Sequence, residues 1–375
     1  MRIIESFRNA YNLSRRRLGI VFYAEAASDY LFLEPVLSRL LEKGRTIIYI
    51  TSSATDPLLT KKTPHLDVYF IQDGGILGFF FQNAKADMFV TTVTDLGSFY
   101  FKKSPQVAHY CYLFHSLNSA HMVYRRDAFK HYDSILCPGP HIMAELQAMQ
   151  QYYQWAPRCL AAHGYGKLDS MLEKKKQYGD AMDDNTVLIA PSWGKDCLIE
   201  SGLVRKVIQN VLIRGHKVVL QPHPMTLKSH SAFLESLKKE FQPKGDFAVN
   251  PSIASEQAFF TCGHLITDWS GIGYEYAFTH HRPVCYVDTA APKRRNDEYQ
   301  VIGITPREIS IREEVGMVVK PSEIDSVPDI LVQLRQNQAM FTTRIDHAIK
   351  QTVFQLGGSG QAGAEYILSQ LESGK

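Results

Sequence analysis

No apolar run in the 375 residues approaches the ~20 positions needed to span a bilayer, and the amino terminus has no apolar core of the signal-peptide type. The expected location is the cytoplasm. Cysteine is sparse and unpaired: Cys111, Cys137, Cys159, Cys197, Cys262 and Cys285 lie far apart, mostly inside apolar runs. That spacing argues against a zinc site or a disulfide framework and for a reducing compartment. No cluster of metal-ligating residues stands out, so a metal is expected to be dispensable. Charge of one sign is also lacking. A net charge of +3 and a pI near 8.4, with no long basic block, are too mild to make nucleic acid the main partner. There is no internal repeat of solenoid period.

A chain of this length exceeds one typical core, so two domains are expected. Residues 1–17 read as an amphipathic amino-terminal helix, with Ile3, Ile4, Phe7, Tyr11 and Leu13 available to one side and Arg2, Arg8 and Arg15 to Arg17 around it. Such a segment docks on its own domain or lies in a membrane interface. Basic residues cluster again at Lys174–Lys176 and Lys293–Arg295. Surface solvation explains these clusters most simply; the anionic inner face of the cell membrane is the sharper alternative.

From Leu18 the strand LGIVFYA runs into Glu25-Ala26-Ala27-Ser28-Asp29, then a helix to Leu41, then the strand TIIYITSS. Further strand-like runs at Val68–Gln72, Asp87–Thr92, Val107–Phe114 and Ser134–Pro138 make residues 18–170 a doubly wound α/β domain. Apolar periodicity lapses from Lys174 to Asn185, as a linker requires. A second α/β series occupies 186–340, with strands at Thr186–Ala190, Lys217–Gln221, Phe247–Asn250, His264–Thr267 and Pro283–Asp288. Residues 341–375 read as helices. The expected fold class is α/β, with two Rossmann-type domains facing across a cleft at the carboxyl ends of their sheets.

Three clusters fall at strand ends, where α/β ligand sites collect. The stretch Thr267-Asp268-Trp269-Ser270-Gly271 reads as strand, tight turn and helix. A helix starting at Ser270 or Gly271 aims backbone N–H groups and a positive dipole end at an anion, in such folds usually a phosphate. Read plainly, Asp268 or Ser270 is an ordinary N-cap. In Gln221-Pro222-His223-Pro224, two prolines hold an imidazole rigidly after a strand, as a donor to phosphate oxygens requires; a turn with an incidental histidine is the alternative. In Phe114-His115-Ser116-Leu117, a histidine able to take a proton from a hydroxyl stands at a strand end, with a structural histidine as the plain reading. Pro191-Ser192-Trp193 adds an indole that stacks on a base or simply packs. Glu275, on the helix after Ser270, either reaches a ribose hydroxyl or lies exposed.

The order His115, Gly164-Tyr165, Ala190-Pro191-Ser192-Trp193, His223-Pro224 and Ile266-Thr267-Asp268-Trp269-Ser270 resembles the CDP-glycerol glycerophosphotransferase family of teichoic-acid and capsule polymer synthesis, over roughly residues 105 to 365. The family's aromatic-His-Gly becomes Phe114-His115-Ser116, its Thr-Asp-aromatic-Ser-Ser becomes Thr267 to Gly271, and its closing motif is reduced to Ser359 to Gly363 without the arginine. The resemblance implies a GT-B fold in which residues 18–170 are the acceptor domain, 186–340 the nucleotide-donor domain, and 341–375 pack back on the first domain.

It also implies a transferase that moves a polyol phosphate from a CDP-activated donor to a hydroxyl of a lipid-linked or polysaccharide acceptor. The CDP-linked donor is a substrate, so no cofactor is expected. His115, His223 and Asp268 are the expected catalytic residues, with Asp268 orienting a histidine or holding the turn. Ser192, Trp193, His223, Pro224, Thr267, Ser270, Gly271 and Glu275 are the expected donor-binding residues. Two other readings stay open: a GT-B glycosyltransferase or nucleotide-sugar epimerase, and a non-catalytic nucleotide-binding protein of polymer export.

Overall fold

The computed structural model describes residues 2–98, 101–179, 182–250, 256–290 and 299–373. In chain order the elements are α1 (Arg2–Ser14), β1 (Leu18–Ala24), α2 (Tyr30–Glu42), β2 (Ile47–Thr51), β3 (Leu66–Phe70), α3 (Gly75–Asn83), β4 (Ala86–Thr91), β5 (Tyr110–Leu113), α4 (Ala120–Val123), β6 (Ser134–Cys137), α5 (Pro140–Tyr152), β7 (Cys159–Ala162) and α6 (Gly166–Tyr178). There follow β8 (Asp183–Ile189), α7 (Leu203–Ile213), β9 (Lys217–Leu220), α8 (Pro224–Ser229), α9 (Ser231–Phe241), β10 (Phe247–Val249), α10 (Gln257–Thr261), β11 (Cys262–Thr267), α11 (Ile272–His280) and β12 (Val284–Val287). The chain ends with α12 (Tyr299–Ile302), α13 (Arg307–Val315), β13 (Gly316–Val319), α14 (Val327–Gln336), α15 (Gln338–Thr352) and α16 (Ser359–Ser373).

Two compact units result: Met1–Ser170 with Arg295–Ile304 and Thr352–Lys375, and Met171–Arg294 with Thr305–Gln351. The first holds a parallel sheet of order β3-β2-β1-β4-β5-β6-β7. Helices cover both faces, so β1 sends Val21 and Tyr23 to one core and Ile20, Phe22 and Ala24 to the other. That is why LGIVFYA is apolar almost without interruption. The second unit holds a parallel sheet of order β10-β9-β8-β11-β12-β13. Strand order reverses between β1 and β4 in the first unit and between β8 and β11 in the second. Those reversals open crevices at the carboxyl ends of the strands.

The chain divides differently from the linear sectioning read from the sequence. The described residues of 171–185 form no loose linker: α6 runs on to Tyr178, Lys174 pairs with Glu256 at 2.5 Å, and Asp183 already starts β8. Charge along an exposed helix face had masked its periodicity. Residues 341–375 also split, because α15 belongs to the second unit up to Gln351 while α16 packs on α2 in the first. Gly360 makes that packing possible, since a Cβ there would come within 2.5 Å of the Pro35 carbonyl oxygen. The carboxylate of Asp169 accepts from the Gly357 and Ser359 amides at 2.7 and 2.8 Å, capping α16. The cluster Lys293–Arg295 lies within 291–298, outside the described residues.

Helix α1 docks through Ser6, Ala10, Leu13 and Ser14. The Ser6 hydroxyl accepts from the Gln72 amide at 2.6 Å, and Asn9 donates to the Phe70 carbonyl at 3.0 Å. Ile3, Ile4, Phe7 and Tyr11 stay exposed, Ile4 at 76%. The apolar stripe of α1 is therefore wider than the surface it covers, and Leu13 alone of its five expected apolar residues is buried.

Candidate functional site

In the second unit, β9, β8 and β11 are neighbours, so the segments after them leave the same edge of the sheet. Asp268 ties two of these segments together. It is fully buried, and its Oδ1 accepts from the amides of Ser192 at 2.7 Å and Trp269 at 2.6 Å, while Oδ2 accepts from Leu198 at 3.0 Å. Thr267 adds a hydroxyl donation to the Ala190 carbonyl at 2.7 Å. Of the two roles expected for Asp268, this arrangement is the one that holds the turn. Three charge-assisted bonds leave the carboxylate little capacity for orienting a histidine. Thr267, buried as well, is part of the same frame.

Helix α11 begins after this turn with Gly271 as its N-cap. Its first amides are less free than a simple helix start would leave them: Gly273 and Tyr274 donate to the carbonyls of Ser270 and Gly271, both at 3.1 Å. The Ile272 amide reaches the Ser270 hydroxyl only at 3.5 Å. An anion here would meet chiefly Ser270, the Ile272 N–H and the helix dipole. Gly273 lets the helix sit close, because a Cβ there would fall 2.5 Å from the Tyr286 hydroxyl. Glu275, expected either at a ribose or on the surface, is buried inside the unit; α11 is buried from Gly273 to His280 and leaves no exposed face for it.

His223 is the N-cap of α8, with Pro224 as the first helical residue. Its Nδ1 accepts from the Met225 amide at 3.2 Å. A nitrogen that accepts carries no proton, so in the neutral ring the proton sits on Nε2 and points away from the helix. Burial lowers the imidazole pKa, so the neutral form prevails at pH 7. His223 is thus a fixed neutral N–H donor. The Trp193 indole, half-exposed at 50%, stacks on it with ring centres 5.8 Å apart and planes 23° from parallel. One indole face is occupied by imidazole. Ser192 lies beside it, its hydroxyl 3.2 Å from Cys197 Sγ.

In the first unit, His115 follows β5. Its Nδ1 lies 3.2 Å from the Tyr112 hydroxyl, and the rings of Phe32 and Tyr124 meet it edge-on at 5.8 and 6.0 Å. Burial in this aromatic surround lowers its pKa, and the Asp29 carboxylate partly offsets the drop. A neutral imidazole can act as a base if Nδ1–H donates to Tyr112, leaving Nε2 with its lone pair free.

Sequence reasoning passed over two groups. Asp29 and Glu25 sit after β1, at the strand-order reversal; Asp29 Oδ2 accepts from the Glu25 and Ala26 amides at 3.0 Å each. The turn Glu25 to Asp29 was visible as a strand end, and its acidic pair was the available signal. Arg312 stacks over the Trp269 ring at 3.6 Å and pairs with Asp288 at 2.9 Å. Nothing in the charged run Arg307–Glu314 distinguishes it from an ordinary exposed helix. Among the described residues, no group of three or more His, Cys, Asp or Glu side chains is placed to hold a metal ion.

Comparison with known proteins adds the following. The model of the family "CDP-Glycerol:Poly(glycerophosphate) glycerophosphotransferase" matches residues 81–292. No curated protein matches the chain. Among solved structures, the wall teichoic acid polymerase TagF, soaked with CDPG, is similar at 12% identity and a TM-score of 0.57, covering 95% of this chain and 89% of that one. A UDP-GlcNAc 2-epimerase from Neisseria meningitidis bound to UDP-GlcNAc is similar at 13% identity and a TM-score of 0.59, covering 95% and 100%. A glycosyltransferase from Rickettsia africae is similar at 10% identity and a TM-score of 0.57, covering 95% and 99%. These likenesses establish the fold, two parallel-sheet α/β domains of the GT-B class.

Proposed function

Because the chain belongs to the CDP-glycerol:poly(glycerophosphate) glycerophosphotransferase family, we propose that it transfers a polyol phosphate from a CDP-activated donor to a hydroxyl of a lipid-linked or polysaccharide acceptor. The acceptor oxygen attacks the phosphorus that carries the polyol. A new phosphodiester P–O bond forms, the P–O bond to the cytidylate breaks, and CMP leaves. His115 Nε2 takes the hydroxyl proton, with the Tyr112 phenol orienting the ring from Nδ1. His223 Nε2–H, the Ser270 turn and the dipole of α11 offset charge on the diphosphate oxygens.

The observation that carries this reading is the seat of His223: the Met225 amide occupies Nδ1, which leaves Nε2–H as the donor, and the ring stacks on the half-exposed Trp193 indole. The test is a donor panel of CDP-glycerol, CDP-ribitol and UDP-GlcNAc with a hydroxyl-bearing acceptor. CMP release with a phosphodiester product is the expected result. Turnover of UDP-GlcNAc alone would put the chain with the glycosyltransferases and epimerases, and binding without turnover would make it an accessory protein.

The same reading locates the protein on the inner face of the cell membrane, where a lipid-linked acceptor is presented. No described helix is long and apolar enough to cross a membrane, so α1 is the element proposed to lie on it. Its support is the row Ile3, Ile4, Phe7 and Tyr11, exposed beside Arg8 and Arg15. Deleting α1 would strip Ala10 and Leu13 from the core; the double substitution Ile4→Glu with Phe7→Glu changes only the outward row. It should cut sedimentation with phosphatidylglycerol vesicles by about tenfold at unchanged melting temperature, and equal sedimentation would remove the claim.

A further inference from the structure

At the amino-terminal edge of the first unit's sheet lies a cavity of about 530 Å³, within the usual range for small-molecule sites. It is far from the residues proposed for transfer. His109, in its wall, immediately precedes β5 and His115 follows that strand, six residues and ~20 Å away at about 3.3 Å per residue.

Its chemistry is uneven. Arg17 and Arg45 face a single carboxylate, Asp87. Arg17 Nε pairs with Asp87 Oδ1 at 2.6 Å, whereas Arg45 is exposed and has no ion pair among the described residues. His109, whose Nε2 lies 2.7 Å from the Ser134 hydroxyl, is chiefly neutral at pH 7 because burial lowers its pKa. One guanidinium is therefore left uncompensated beside the apolar wall of Ile20 and Leu371. Nor does the floor fill the space: Gly19 of β1 is exposed, and a Cβ built there meets no atom within 4 Å.

We infer that this cavity binds a small phosphate ester, with Arg45 and Arg17 taking the phosphate and the apolar wall taking the carbon part. Guanidinium forks match phosphate oxygens in pairs and stay charged at every working pH. The ester comes either free, as a polyol phosphate, or as a unit of a phosphodiester chain.

Calorimetric titration of the full chain at low salt, with sn-glycerol 3-phosphate and with a short glycerol phosphate oligomer, tests this. Arg45→Glu and Gly19→Phe should each weaken binding of the probe about tenfold or more, one by charge reversal and the other by occupying the space. Gly19→Ala, which adds a methyl group to open space, should bind as wild type and controls for folding. CMP release should stay unchanged in all three. Tighter binding of the oligomer assigns the site to the polymer, and equal binding assigns it to the free ester. Binding of neither probe, or equal binding by wild type, Arg45→Glu and Gly19→Phe, overturns the inference.

Discussion

His115 and His223 both follow short parallel strands, and burial lowers both pKa values, yet their surroundings suit opposite tasks. His223 has Nδ1 committed to a backbone amide, which fixes one tautomer and leaves an N–H donor. His115 has Nδ1 against a phenol, which can donate or accept, so either tautomer is accessible. A backbone partner makes an imidazole a permanent electrostatic element; a hydroxyl partner lets it change protonation. The division of labour proposed for the two rings, His223 at the diphosphate and His115 at the acceptor hydroxyl, rests on that difference.

Removing the switchable ring should have the largest effect. His115→Ala should lower turnover roughly 100- to 10,000-fold, while CDP-donor affinity measured by calorimetry moves little. Unchanged turnover would leave His115 a structural histidine and erase the contrast with His223.

Asp268 sharpens the comparison from the side of the rigid element. Its carboxylate serves three amides, two of them in the segment after β8. Asp268→Ala would leave these buried donors unsatisfied, at about 1–3 kcal/mol each when truly orphaned. The expected loss in urea denaturation is therefore roughly 3–5 kcal/mol, allowing for relaxation that lets water reach one of them. A stable variant with impaired turnover would instead return Asp268 to the catalytic group.

Much of this arrangement could be read from the chain because it rests on local chemistry. The strand LGIVFYA, the Asp268 to Gly271 break and the two prolines around His223 each announce a strand end through periodicity or backbone restriction. What could not be read depends on which distant groups meet. The three amide partners of Asp268 include residues seventy and seventy-six positions away, and Arg312 reaches Trp269 from a helix that looks like exposed charge. Residues 359–363 resemble an eroded family motif, yet Gly360 is explained by the approach of the Pro35 carbonyl. Residues 171–178 look like linker because a helix with six charges in the ten residues Lys167 to Lys176 buries only its first turn.

The finest test lies in the field around His115. Burial depresses its pKa, and the carboxylate of Asp29 works against that depression. A general base acts in its unprotonated form, so kcat/KM should hold level near neutrality and fall only below the ordinary histidine pKa of about 6.5. Asp29→Asn removes the negative charge while its side-chain oxygen can still accept from the Glu25 and Ala26 amides. The protonated imidazole loses its electrostatic support, the pKa drops further, and the acid limb of the kcat/KM profile should move to lower pH with the plateau preserved. No such field acts on His223, where burial is the one resolved cause of the shift. A limb that moved upward, or stayed in place, would show that some other group sets it and that His115 is not the residue taking the proton.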